Sequence, residues 1–363
     1  MDGKLFDEYT DYLICSFGRT TATGLSRLTN GQISHDQVTR FLAAEDFTSA
    51  RLWQLVKPVV RPHEQDDGVL IIDDTIVEKP YSDENDIVCW HWDHSHNRSV
   101  KGIQFLSAVY NVSGVVVPVG FDVVNKTVLY TDQESGLTKR KSDTTKNERC
   151  RGLLRACARN QIKFRYVLAD CYFACAETMR LIKEEMSKDF VMVVKDNRTV
   201  ALSLEDKMNG RYVSIKSLDL QEGNRRIVHL EGVPFPLALI KKVFTNKDGS
   251  QGVLYLVTSD LTINYDQILA IYHKRWSIEG YHESLKQNAS LPKSPAHTER
   301  TQANHLFCSL FAFVKLEMIK VGSNLNPFAV KNRIYMAAIV AAKKEYQPLK
   351  QAYVPEVLSL APT

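Results

Sequence analysis

The chain has 363 residues, 44% hydrophobic and 24% charged, enough for two or three globular units. Its net charge of +4 is too small to establish a polyanionic partner by itself. No apolar run reaches the ~20 residues of a membrane helix, the acidic start lacks a signal-peptide plan, and the seven cysteines include no CxxC pair. The expectation is a cytoplasmic protein with reduced thiols and no membrane.

Residues 1–62 read as helical throughout. The first helix carries Leu5, Tyr9, Tyr12, Leu13 and Phe17 as its apolar stripe, and the second runs over 21–28 and stops at Asn30 and Gly31. Ser34 caps a third over 35–42, and Ser49 caps a fourth reaching Pro58. Helix, glycine turn, helix is the plan of a helix-turn-helix, which would turn His35, Gln37 and Arg40 toward a DNA groove. A plain helical bundle is the alternative, and seven basic against seven acidic residues do not choose between them.

After an acidic linker over 62–68, residues 69–77 (VLIIDDTIV) read as a buried strand holding two aspartates. Strand alternation sends Asp73 and Thr75 to one face and Asp74 to the other. A buried carboxylate is costly unless paired or bound to metal, which makes this strand a site candidate; a strand ending at Ile72 is the bland alternative. The tract Cys89, Trp90, His91, Trp92, Asp93, His94, Ser95 and His96 has a zinc-like composition. Zinc sites draw on two separated ligand pairs, so a polar loop near the cleft is the expectation.

Residues 103–112 and 115–124 form a hairpin about Ser113 and Gly114. From Lys139 to Arg165 ten Lys and Arg residues stand against Asp143 and Glu148, either a solvated face or a surface that tracks a DNA backbone. Within it 144–160 reads as a helix, with Cys150, Leu153, Leu154 and Cys157 inward and Arg149, Arg151, Arg155 and Arg159 outward. A strand over 164–170 ends in Asp170, followed by a helix over 175–187 and a strand over 190–194. Asp73 and Asp170 lie side by side if the first and fourth strands are neighbours. Strands over 211–215, 226–230, 237–244 and 252–257, the last pair joined by a turn that starts at Lys247, read as an inserted β-rich subdomain.

From Asn264 one helix is expected to run to about Asn288. Ile268, Ile271, Ile278 and Leu285 form its docking side, while Tyr272, Glu279 and Lys286, seven apart, fall on one line flanked by Arg275 and Glu283. Surface ion pairing is the bland account of that line. Helices over 305–320 and 328–344 come next, then a loose tail from Gln347.

Two strand-borne aspartates beside a helix-borne glutamate change the weighing. Clustered carboxylates repel and require a shared proton or cations. Oxygen ligands select Mg²⁺ or Mn²⁺, and two such ions ~4 Å apart clamp the oxygens of a phosphoryl displacement. With Arg275 and Lys286 alongside, the residues point to a metal-dependent nuclease or strand-transfer enzyme without a small-molecule cofactor. Sugar hydrolysis by paired carboxylates is disfavoured by the same basic neighbours.

These motifs resemble those of the DDE transposases of bacterial insertion sequences. Tyr272, Arg275, Glu279 and Lys286 match their Y-(2)-R-(3)-E-(6)-K signature, Asp73 to Thr75 match Asp-x-Thr, and 167–173 (VLADCYF) match the context of the second acid. The resemblance covers about residues 68–290. It implies an α/β fold with a ribonuclease-H-like core: a mixed five-stranded sheet with flanking helices over 68–197 and 261–322. A β-rich insertion over 198–260, a helical DNA-binding domain over 1–62 and a C-terminal helix and tail over 323–363 complete the expected plan. It further implies that Asp73, Asp170 and Glu279 bind two Mg²⁺ or Mn²⁺ ions and that Tyr272, Arg275 and Lys286 contact DNA phosphates. Asp74 and Glu283 remain rivals to Asp73 and Glu279. The implied reaction is water attack at a transposon end and transfer of the freed 3′ hydroxyl into target DNA. The implied partners are terminal inverted repeats, target DNA and a second subunit in the DNA complex, and the implied setting is the bacterial nucleoid. A nuclease without strand transfer and a catalytically silent repressor stay open. Some relatives stack a flipped base on a Trp of the insertion. Here Trp53, Trp90, Trp92 and Trp276 all lie outside it, leaving Tyr212, Phe235, Phe244 or Tyr255 for that task.

Overall fold

The computed structural model describes residues 2–93, 96–134, 136–246 and 248–354. His94 and Ser95 of the polar tract, Lys247 at its turn and residues 355–363 of the tail lie outside the described residues.

Four helices open the chain: α1 (Gly3–Cys15), α2 (Ala22–Leu28), α3 (His35–Ala44) and α4 (Ser49–Val60). Each starts on a side-chain cap, Asp2, Thr21, Ser34 and Thr48, and α3 has a full capping box with Gln37. Two expectations are corrected here. Phe17 lies past the end of α1 and is 42% exposed, and Phe6 fills the buried stripe instead. Thr48 rather than Ser49 caps α4, because the Ser49 hydroxyl accepts the Phe121 backbone N–H at 3.1 Å. These helices do not stand apart from the rest of the molecule: Phe6 meets Phe311 at 4.9 Å, Phe47 meets Phe307 at 5.1 Å, and Tyr9 is hydrogen-bonded to His305 at 2.9 Å. One apolar core runs from them into the sheet.

The next elements are β1 (Val69–Glu78), β2 (Val88–Asp93), β3 (Arg98–Val112), β4 (Val115–Val123), β5 (Val128–Thr131), β6 (Thr138–Lys141), α5 (Lys146–Arg159), β7 (Tyr166–Ala169), α6 (Ala176–Arg180) and β8 (Asp189–Val194). β1 is a single strand straight through Asp73 and Asp74, so the alternative of an end at Ile72 falls. β3 and β4 turn on Ser113 (φ 48°) and Gly114 (φ 80°), the left-handed pair a two-residue hairpin requires. The tract expected as a polar loop is largely the edge strand β2. Alternation turns Cys89, His91 and Asp93 to one face, the first two buried, and exposes Trp90 and Trp92 on the other. Among the described residues these side chains are not gathered closely enough to hold an ion. Arg149 is the other departure. It points inward, 9% exposed, and donates to Asp122 at 2.6 Å and to the Ser142 hydroxyl.

Then come β9 (Thr199–Ala201), α7 (Leu204–Met208), β10 (Val213–Ser214), β11 (Arg225–Leu230), β12 (Leu237–Thr245), β13 (Gln251–Thr258), α8 (Tyr265–His273), α9 (Ser277–Gln287), α10 (Glu299–Ser323) and α11 (Pro327–Tyr353). The expected five strands are present, in the order β8-β7-β1-β3-β4. Among the described residues the sheet is larger than expected, with eleven strands, because β2 and the five strands of the 198–260 region extend it. β13 is hydrogen-bonded to β8 from Val191 to Val194, so those strands continue the same sheet through β12, β11, β9 and β10. The pattern of alternating strands could not disclose that pairing, since an edge strand of a separate sheet reads identically. The β5–β6 ribbon was missed because each strand is only four residues long and neither alternates: β5 (VLYT) is exposed throughout although three of its residues are apolar or aromatic, and β6 (TKRK) is basic. The tail also differs: α11 continues through Pro348 to Tyr353.

Candidate active site

β1 positions the site. Its first four residues are fully buried, and it is paired on both edges: antiparallel to β3 along its whole length, parallel to β7 from Val69–Tyr166 to Ile72–Ala169. The next step of that parallel register brings Asp73 beside Asp170, where β7 ends. This is the carboxyl end of adjacent parallel strands, the usual place for a ligand in an open α/β sheet. Gly102 of β3 allows the close approach, since a Cβ there would sit 2.3 Å from the Val77 carbonyl oxygen.

The two aspartates of β1 diverge as alternation requires. Asp73 faces α9: its register partner Ser107 is hydrogen-bonded to Tyr281 of α9 at 3.1 Å, and Arg275 lies 3.9 Å from its carboxylate. Asp74 faces the other side, where Lys146 at the start of α5 reaches its two oxygens at 3.2 and 3.3 Å and the Gln104 amide donates to it. Glu279 is on α9, and thus on the Asp73 side.

The helix carrying Glu279 is not continuous. α8 and α9 are joined by a 3₁₀ turn over Lys274–Trp276. Three residues at ~120° instead of ~100° rotate α9 by about 60° relative to α8. The line of Tyr272, Glu279 and Lys286 is therefore broken. Tyr272 is buried and lies 5.5 Å from the Arg275 guanidinium, whereas Glu279 is 63% exposed at the rim. Arg275 sits between the acids, 2.8 Å from Glu279 and largely covered.

A cleft of about 590 Å³ collects Asp73, Asp74, Thr75, Asp170, Glu279 and Glu283 on its walls. Lys286 also lines it, while Tyr272 and Arg275 lie behind the wall. Burial pushes the Asp73 carboxyl up to about 7, reinforced by the charges of Asp170 and Asp74. Burial also raises Asp170, against hydrogen bonds from the Tyr172 and Phe173 backbone. Lys286 is shifted down by burial. His35, Gln37 and Arg40 are far along the chain on α3, all exposed, with Gln37 also closing the capping box.

Neighbouring carboxylates that resist joint ionisation are the feature a divalent cation relieves, and all the acids offer oxygen, so the donor set fits a hard ion. Among the described residues, however, no three His, Cys, Asp or Glu side chains are gathered closely enough to hold an ion as they stand. Asp73 and Asp170 are together; Glu279 is turned to Arg275. The polar tract expected near the cleft does contribute to it, through Trp92, Asp93 and His96, while Lys146, Gln104 and Tyr172, which also line it, were missed. Lys146 belongs to the basic block and lies 4.0 Å over the Tyr172 ring, so it had a signal but no address. Of the four aromatic residues weighed for base stacking, Tyr255 is buried, Tyr212 and Phe235 are half-buried, and Phe244 is exposed.

A mixed sheet with helices on both faces and paired carboxylates where the parallel β1–β7 ladder ends fits the ribonuclease-H-like nucleases. A family model described as DDE superfamily endonuclease matches residues 6–211, more than half of the chain, and the chain belongs to that family. It is an enzyme of the nuclease and transposase type, a group that acts on DNA and uses divalent metal ions. The match takes in Asp73 and Asp170 and ends before Glu279. No curated protein matches the chain. Among the described residues no helix is long and apolar enough to cross a membrane.

Proposed function

We propose that the protein is a DNA transposase of the insertion-sequence type, with Asp73, Asp170 and Glu279 as the residues that hold two Mg²⁺ or Mn²⁺ ions. The observation that carries the reading is the placement of Asp73 and Asp170 on adjacent parallel strands, with Glu279 facing the same side as Asp73 across Arg275. When bound, such ions lower the pKa of the attacking water or 3′ hydroxyl and offset charge on the phosphoryl oxygens.

The chain's own groups do the rest. Arg275 holds Asp73 and Glu279 apart and partly neutralised, and Tyr272 backs the guanidinium. Glu279 must release Arg275 to join the two aspartates, which turns the guanidinium toward an incoming phosphate. Lys286 on the cleft wall and Lys146 beside Asp74 receive the DNA backbone. Asp74, already engaged by Lys146 and Gln104, keeps Lys146 in place. Exposed His35, Gln37 and Arg40 on α3 supply the duplex contact of a helical unit over 1–62. The joining of two DNA ends calls for two subunits.

The test is incubation of the purified protein and an Asp170→Asn variant with DNA carrying the element's ends and Mg²⁺. Joined products that vanish in the variant support transposition. Cleavage without joining points to a nuclease, and binding without cleavage to a repressor; either result defeats the proposal.

A further inference from the structure

The start of α11 is seated on the body. Lys331 donates to the Ile14 and Ser16 carbonyls, the Phe17 ring meets Tyr335 edge-on at 5.2 Å, and Val330 is buried. Beyond that the helix leaves the body: every residue from Met336 to Leu349 is exposed. Residues 336–353 continue for about 27 Å at 1.5 Å per residue. A solitary helix of this length is marginal in water, because nothing but its own hydrogen bonds offsets the chain entropy.

Its exposed side chains are not those of a solvated helix. Ile339, Tyr346, Leu349 and Tyr353 range from 39% to 80% exposed. Tyr335, Ile339, Ala342, Tyr346, Leu349 and Tyr353 recur at intervals of 4, 3, 4, 3 and 4, the 3.5-residue period of a coiled-coil seam. In heptad terms Ile339, Tyr346 and Tyr353 take the a positions, and Tyr335, Ala342 and Leu349 the d positions. A β-branched residue at a with leucine at d favours two parallel strands. The tyrosines bury their rings while the hydroxyls reach the seam's edge. Pro348 falls at c, on the outer side.

We propose that this seam pairs with the same seam of a second copy of the chain as a parallel coiled coil. Flanking charge selects both the partner and the direction. In a parallel pair, Glu345 at g of one copy faces Lys350 at e of the other, five residues on, and the two-fold axis makes that contact twice. An antiparallel pair would set the e positions Lys343 and Lys350 against each other. Because each helix is anchored at its start, a parallel pair holds both bodies at one end of the coil. The inference goes beyond the catalytic reading, and its readout is mass rather than cleavage, so the two fail separately.

The experiment is sedimentation velocity of the full chain without DNA, over a concentration series reaching tens of micromolar. The expected result is a reversible monomer–dimer equilibrium that Ile339→Asp abolishes, with an unchanged far-UV circular dichroism melt of the body. Glu345→Lys and Lys350→Glu each weaken the dimer roughly tenfold, as two attractive contacts become repulsive. The double exchange restores it. A wild-type chain that stays monomeric throughout overturns the proposal. So does a dimer indifferent to Ile339→Asp, or a double exchange that fails to restore pairing.

Discussion

Asp73 offers the sharpest handle on the site, because its carboxyl is strained in a way that reverses a familiar expectation. In the folded, metal-free protein it titrates at about 7, against 3.8 for an unperturbed aspartate, first through burial and then through Asp170 and Asp74. Between those two values the folded chain holds a proton that the unfolded chain has released, so stability falls as pH rises through this window. The stabilisation is complete below about pH 4 and gone above about pH 7. Roughly three pK units at 1.36 kcal/mol each set a ceiling of about 4 kcal/mol. Asp73→Asn removes the charge and keeps the shape. It is therefore expected to raise the melting temperature of the metal-free protein at pH 8 by a few degrees, and to leave it nearly unchanged at pH 4. Mg²⁺ is expected to recover much of that deficit in the wild type, by ~2.7 kcal/mol at a hundredfold excess over the dissociation constant, and far less in the variant. Differential scanning fluorimetry at the two pH values, with EDTA or Mg²⁺, reads all four states. A variant that melts lower than wild type at pH 8, or that gains equally at both pH values, would refute the electrostatic account of the cleft.

The geometry leads to three further outcomes. Gly102→Ala places a methyl against the Val77 carbonyl at the junction of β1 and β3 and is expected to cost ~2–4 kcal/mol by urea denaturation, with loss of cleavage secondary to that. Arg149→Ala leaves Asp122 and Asn125 without their guanidinium and is expected to cost ~2–3 kcal/mol in the same assay, although a basic residue in a basic block reads as surface. Lys286→Ala is expected to weaken DNA binding evenly across sequences and to reduce the magnitude of the log K against log salt slope by about 1, measured by fluorescence anisotropy.

What could be read in advance tracks how local the physics is. The buried run 69–72 and the strand ending at Asp170 were legible because consecutive apolar residues exclude water on both faces of a sheet. Their adjacency was a conditional expectation, and the β1–β7 register meets the condition. Strand alternation assigned Asp73 and Asp74 to opposite faces, but which face holds α9 was not in the pattern. Contacts such as the Tyr281–Ser107 hydrogen bond and the Asn111–Ser277 hydrogen bond place it on the Asp73 side. The α8–α9 helix was legible as helical and misjudged in phase, because no residue of 274–276 is a helix breaker that would announce the 3₁₀ turn. Lys146 and Gln104 escaped notice for a related reason: their role depends on meeting Asp74 across 72 and 30 residues of sequence. The size of the sheet was hidden too, since nothing in 251–258 announces β8 as its partner.

That last pairing has a mechanical side. β13 leads through α8 to α9, which carries Glu279, and β8 is paired with β7, the strand that precedes Asp170. A load applied to the outer strands β9–β12 is therefore borne by transverse hydrogen bonds across β13 and β8, a stiff direction in a sheet, rather than by a flexible tether. A displacement of that end reaches the strand before Asp170 and the connection to α9 through the same ladder, so the two sides of the cleft move together.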